Sequence, residues 1–235
     1  MTLNRWLFST LLMLLTACQA YRAKPESNVL YTRHDLTKKG FVLAPIAVAE
    51  QKLNPGAAEL TTYDSILTNT LVSRWPDVPV LSSGEVADTL GTEELEMWRK
   101  ELQGEEVAIA SPSSFAILKK IAHKGKRYPK QVLLPSLLMN TVSCGQKEAL
   151  STAVSPNPHG IRAYCQRIVK MRFRIMSVDS AELLWNGLIY ATQEMASEIE
   201  DSNDQDAERK VIEPPATQAL IRDCFNNFAK QFSEP

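Results

Sequence analysis

The chain has 235 residues, 26 Lys+Arg against 27 Asp+Glu, and a formal net charge of −1. Hydrophobic residues make up 44% and charged residues 23%, a globular balance that excludes a mostly disordered, collagenous or multi-pass membrane protein. The near-neutral charge also removes the bulk electrostatic footprint of a nucleic-acid-binding domain.

The first residues read as an export signal. Arg5 precedes the apolar run Trp6–Leu15, which is too short to span a bilayer but fits the hydrophobic region of a secretory signal. Leu15-Thr16-Ala17-Cys18 follows and resembles the lipobox of bacterial lipoproteins. That resemblance implies a diacylglycerol on the Cys18 sulfur and cleavage after Ala17; the alternative is a plain signal peptide ending near a cysteine. Two or more acyl chains anchor firmly where one binds marginally. Gln19 stands where Asp would mark inner-membrane retention, so the same resemblance implies the outer membrane, facing the periplasm. Residues 1–17 are thus read as signal peptide, 18–38 as a lipidated tether poor in apolar residues, and 39–235 as a single domain.

The domain is expected to start with a buried strand in the apolar run Gly40–Ile46. Thr61–Trp75 then reads as a helix, with Ile66, Leu67, Leu71 and Trp75 on one face and Pro76 ending it. Val78–Leu81 reads as a second short strand. Ser82-Ser-Gly-Glu85 is a capping-box pattern, with helix continuing past Gly91 to about Gln103. Ser111-Pro112 predicts another helix start, running to about His123. The period then changes. Gln131–Ser143 is a long apolar strand. Arg167–Val178 alternates Val169, Met171, Phe173 and Ile175 against Lys170, Arg172 and Arg174, the pattern of a half-buried strand. Asp179-Ser180 makes a turn, and Glu182–Glu194 returns as a third strand. An acidic stretch, Glu198–Lys210, leads to a final amphipathic helix over Ala216–Phe232. The fold class is therefore α/β (α+β): a single mixed sheet in the order β-α-β-α-α-β-β-β-α, with helices packed mainly on one face.

Three cysteines lie beyond Cys18. An exported setting is oxidising. Cys144 and Cys165 flank a loop-rich excursion, with Gly145, Pro156, Pro158 and Gly160 between them. A hairpin there brings the two together as a disulfide; the alternative is three reduced thiols. Cys224 falls with Leu220, Phe228 and Phe232 on one helical stripe, as a small buried hydrophobe. No CxxC or close His–Cys pair offers a metal site, and nothing calls for a cofactor. Asp201–Glu208 lacks the Gly and Glu that a calcium loop needs at its sixth and twelfth positions.

The hairpin Val178-Asp179-Ser180-Ala181-Glu182-Leu183-Leu184-Trp185 resembles one found in the curli-secretion (CsgG-like) lipoprotein family and in its relatives. These include lipoprotein activators of penicillin-binding proteins, exopolysaccharide-export lipoproteins and the N-terminal domain of TolB. Ala181 replaces the Gly usual in that turn. The resemblance implies an envelope α/β domain that binds partners or assembles into rings and is not an enzyme. The excursion between Cys144 and Cys165 is too short and too weakly amphipathic to form the curli channel's transmembrane hairpins. The expected function is a non-catalytic binding or adaptor module, partnered by an envelope protein or itself; the alternative is a subunit of an oligomeric export assembly. Lys170, Arg172 and Arg174 are the candidate partner-binding residues. Three cations on one strand face dock an acidic partner protein or glycan, or they keep a strand soluble against edge pairing. Lys119–Lys130 is the densest basic run and reads as a solvated helix end or an anionic-surface contact.

Overall fold

A computed structural model describes residues 31–49, 53, 55–101, 116–117, 119–121, 129–148, 161–199 and 212–232. The residues read as a signal peptide, Cys18, the helix start at Ser111-Pro112 and the acidic stretch 201–208 lie outside the described residues.

The described chain starts inside the stretch read as a tether. Helix α1, Arg33–Lys39, carries Asp35 in its first turn and Lys38 and Lys39 in its last, the charge order that complements the helix dipole. Its Leu36 is fully buried. Short strands β1 (Phe41–Leu43) and β2 (Ala47–Val48) follow, then helix α2 (Ala57–Arg74), strand β3 (Val80–Leu81) and helices α3 (Ser83–Leu90) and α4 (Thr92–Glu101). The capping box holds: Ser82 Oγ accepts from the Glu85 N–H at 3.2 Å, and Glu85 accepts from the Ser82 N–H at 2.8 Å. Residues 116, 117 and 119–121 are helical, and Ile121 is buried. Three long strands, β4 (Gln131–Glu148), β5 (Ile161–Ser177) and β6 (Leu183–Ile199), precede the last helix, α5 (Thr217–Lys230). No helix among the described residues is long and apolar enough to cross a membrane.

The six strands among the described residues form one mixed sheet in the order β3-β1-β4-β5-β6, with β2 also beside β4. The short strands pair in parallel and the three long ones antiparallel. The long strands run several residues past the expected ends, because their mutual pairing continues to Glu148 against Ile161 and to Ile161 against Ile199.

Alternation along β5 divides the core in two. Val169, Met171, Phe173 and Ile175 pack with α2 and α5 in the larger cluster. Met176 and Val178 join Val86, Leu90 and Trp98 of α3 and α4 in a smaller cluster. The two longest helices therefore share one face of the sheet, and the shorter pair lies against the other. At the centre of the larger cluster Phe228 stacks on Phe173 with ring centroids 4.4 Å apart. Trp185 closes over this group, and its ring crosses Gly187: a Cβ there would fall 2.3 Å from the indole. A side chain at that position would displace the tryptophan.

The β5–β6 turn explains the Gly-to-Ala departure. Ala181 sits at φ 56°, in the left-handed region that costs a residue with a Cβ roughly 1–2 kcal/mol. Glycine removes that cost but adds freedom to the unfolded chain. Ala181→Gly is therefore expected to raise stability by about 0.5–1 kcal/mol, read as a higher urea midpoint at unchanged slope. A lower midpoint would mean that the alanine methyl packs favourably enough to outweigh the strain.

Candidate binding face

Strand β5 turns Lys170, Arg172 and Arg174 to the sheet face opposite α2 and α5. Their neighbours are set by register. Arg174 lies between Leu134 of β4 and Asn186 of β6, Arg172 between Ser136 and Leu188, and Lys170 between Met139 and Tyr190. In chain order this basic row ends where the smaller apolar cluster begins, at Met176 and Val178.

The three cations are not equivalent, which a reading of the strand as one solvated row did not anticipate. Arg174 is buried, with only 7% of its surface exposed, and Ser136 beside it is 2% exposed. The Arg174 Nη2 donates to Ser136 Oγ at 3.3 Å. Its Nε is buried with no hydrogen-bond partner. Burial, with the Arg172 charge nearby as a second cause, holds the Arg174 guanidinium below its ordinary pKa. Arg172 is half-buried, and it and Asn186 each make an interaction of their own. Lys170 is half-buried too, its Nζ 5.5 Å from the centre of the Tyr190 ring, a cation–π contact that holds the ammonium over its cross-strand neighbour. The row is thus graded, from a buried guanidinium to a lysine fixed over an aromatic ring. Ser136, Asn186 and Tyr190 belong to this face as much as the three cations do. Sequence alone did not single them out, because cross-strand neighbours depend on register and on the bulge between Leu137 and Met139.

Cys144 and Cys165 are direct cross-strand partners, with Cα atoms 4.0 Å apart, and form the disulfide. It ties β4 to β5 in the part of the sheet where the chain returns from residue 212. There Arg167 donates from Nε to the Pro215 carbonyl at 2.6 Å and from Nη1 to Asn140 Oδ1 at 2.9 Å. This arginine clamps the segment leading into α5 onto the strands. Cys224 is fully buried on α5, as its helical stripe predicted, and burial pushes its thiol pKa up, so it is an inert core residue. Among the described residues no group of three or more His, Cys, Asp or Glu side chains is placed to hold a metal ion. Asp64 is buried and accepts the Ile46 N–H at 2.9 Å, which ties α2 to the chain between β1 and β2. On the α2–α5 side, Arg74 and Arg222 line a shallow polar groove with Asn69 and Asn226.

No family model matches the chain, and no curated protein does. Several solved structures are similar to it. A PelC dodecamer from Paraburkholderia phytofirmans has 9% identity and a TM-score of 0.39, over 93% of this chain and 100% of that one. A neuraminyllactose-binding hemagglutinin homolog from Helicobacter pylori has 11% identity and a TM-score of 0.42, over 92% of each chain. Lipoprotein GNA1162 from Neisseria meningitidis has 13% identity and a TM-score of 0.34, over 70% of this chain and 86% of that one.

Proposed function

We propose that this chain is a lipoprotein of the bacterial cell envelope, anchored through Cys18 to the outer membrane and facing the periplasm. It binds an acidic partner protein through the basic face of β5, without catalysis. One observation carries the reading: Lys170, Arg172 and Arg174 stand in register on an ordered central strand, beside a buried serine and an aromatic ring that fix two of them. Side chains held in this way lose less entropy on binding than free surface cations. The lipobox resemblance supplies the anchor, and the stretch between Cys18 and α1 joins it to the domain. A CsgG-like ancestry remains part of this proposal and rests on the hairpin around Asp179–Trp185.

The test is photo-crosslinking in intact cells from a benzoylphenylalanine at position 190, which keeps an aromatic ring beside Lys170. A crosslink to a different envelope protein is expected. It should disappear when Lys170→Glu and Arg172→Glu are added, and Cys18→Ala should move the protein out of the membrane fraction. A ladder of self-crosslinked bands would replace this reading with the assembly-subunit one. The absence of any crosslink would leave the face a solubility device.

A further inference from the structure

We infer that Arg174 and Ser136 form a recessed carboxylate-binding site that receives an aspartate or glutamate side chain of the partner. This inference rests on the basic face being the binding surface. The first observation is the burial of an arginine with no carboxylate beside it on the strands of its own sheet face. On β4, β5 and β6 this sheet face carries no carboxylate between Met176 and Gln166. Glu194 is the first, and it sits across from Gln166, eight residues along β5 from Arg174. A buried charge without an opposite charge is strongly unfavourable unless something compensates it.

The second observation is which donors are committed. Nε and Nη2 form one edge of the guanidinium, the edge that meets both oxygens of a carboxylate. Nε is buried without a partner, and Nη2 makes a single bond of 3.3 Å, to Ser136 Oγ. The Ser136 hydroxyl accepts there and keeps its own proton to donate. One edge of Arg174 and the Ser136 hydroxyl therefore lie side by side. A carboxylate placed there gains two parallel N–H···O bonds and an O–H···O bond. One negative charge also balances the one buried positive charge, which favours a carboxylate over a doubly charged phosphate. Arg172, one pleat further out on the same face, adds positive potential at the approach.

Two experiments test the site. In the first, the full chain carrying Cys18→Ser is titrated with sodium acetate at constant ionic strength, following the arginine Nε–Hε resonances by NMR. The Arg174 signal, identified by its loss in Arg174→Lys, is expected to shift saturably while those of Arg74 and Arg222 do not. Inorganic phosphate in place of acetate should shift it less. A response shared by all arginines would overturn the proposal, and so would a stronger response to phosphate. The second uses Arg174→Met, which fills the volume without charge. It is expected to melt at the same or a higher temperature and to lose at least 10-fold in crosslink yield from position 190. A large drop in melting temperature with binding retained would make Arg174 a structural residue and overturn the site while leaving the binding face intact. Failure of the wild-type crosslink would instead sink the face, with the acetate titration still deciding the pocket.

Discussion

Phe228→Ala is expected to lower the free energy of unfolding by about 4 kcal/mol, within the range for emptying a fully buried aromatic site. Phe228 has no exposed surface. Its ring stacks on Phe173 and meets the edges or faces of Trp75, Trp185 and Phe232 with centroids 5.9, 5.5 and 5.5 Å away. Truncation removes those contacts at once. The aromatic neighbours come from β5, β6 and the residues just past α2 and α5, so no single element can slide in to refill the space. Natural domains have about 5–15 kcal/mol in total, so this one change should remove a large share of the stability. Urea unfolding followed by far-ultraviolet circular dichroism measures it, as a lower midpoint at unchanged slope. A loss under about 1.5 kcal/mol would mean that the cluster collapses around the cavity far more easily than packed interiors do.

Gly40→Ala should cost about 3 kcal/mol or more, through two additive causes. Gly40 ends α1 at φ 57° and ψ 177°, a region essentially reserved for glycine. A Cβ there would also lie 2.5 Å from the Pro79 carbonyl oxygen and 2.9 Å from its Cβ. That oxygen is not free to withdraw, since it accepts the Phe41 N–H at 3.0 Å. Strain at residue 40 therefore passes directly into the β1–β3 pairing. Gly56→Ala is the control. Gly56 has φ −62°, and a methyl group added there would meet nothing within 4 Å. Its substitution should cost only about 0.5–1 kcal/mol, the gap between glycine and alanine at a helix N-cap. Equal midpoints for the two variants would refute the argument from backbone geometry.

Local signals located most elements. The Ser82–Glu85 capping box, the stripe of α5 and the alternation of β5 each express a rule that operates within a few residues. The same locality explains the errors at the edges. Helix α2 begins at Ala57, four residues before the expected Thr61, because Glu59 accepts the Gly56 N–H at 3.1 Å and starts the helix there. Helix α1 lies in a stretch too poor in apolar residues to register; one buried leucine, Leu36, docks it on the core. The bonds from Tyr31 to Gln131 and from Arg33 to Asp77 (2.8 Å) span 100 and 44 residues, and no local pattern reports those.

What the sequence by itself determined is which residues face together along one strand or helix, where chain direction changes, and which thiols a hairpin brings opposite each other. Those follow from the fixed periods of 2 and 3.6 residues and from turn chemistry. Only the tertiary structure decided that Arg174 is buried while Lys170 is not. Exposure depends on what covers each end of the sheet face, and here the apolar cluster under α3 and α4 extends to Met176 and Val178. It also decided that Ser136 and Tyr190, 34 and 20 residues distant from Lys170 in sequence, flank the basic strand. A candidate residue can be read from its own strand. Its neighbours come from register, and register is set by the whole sheet.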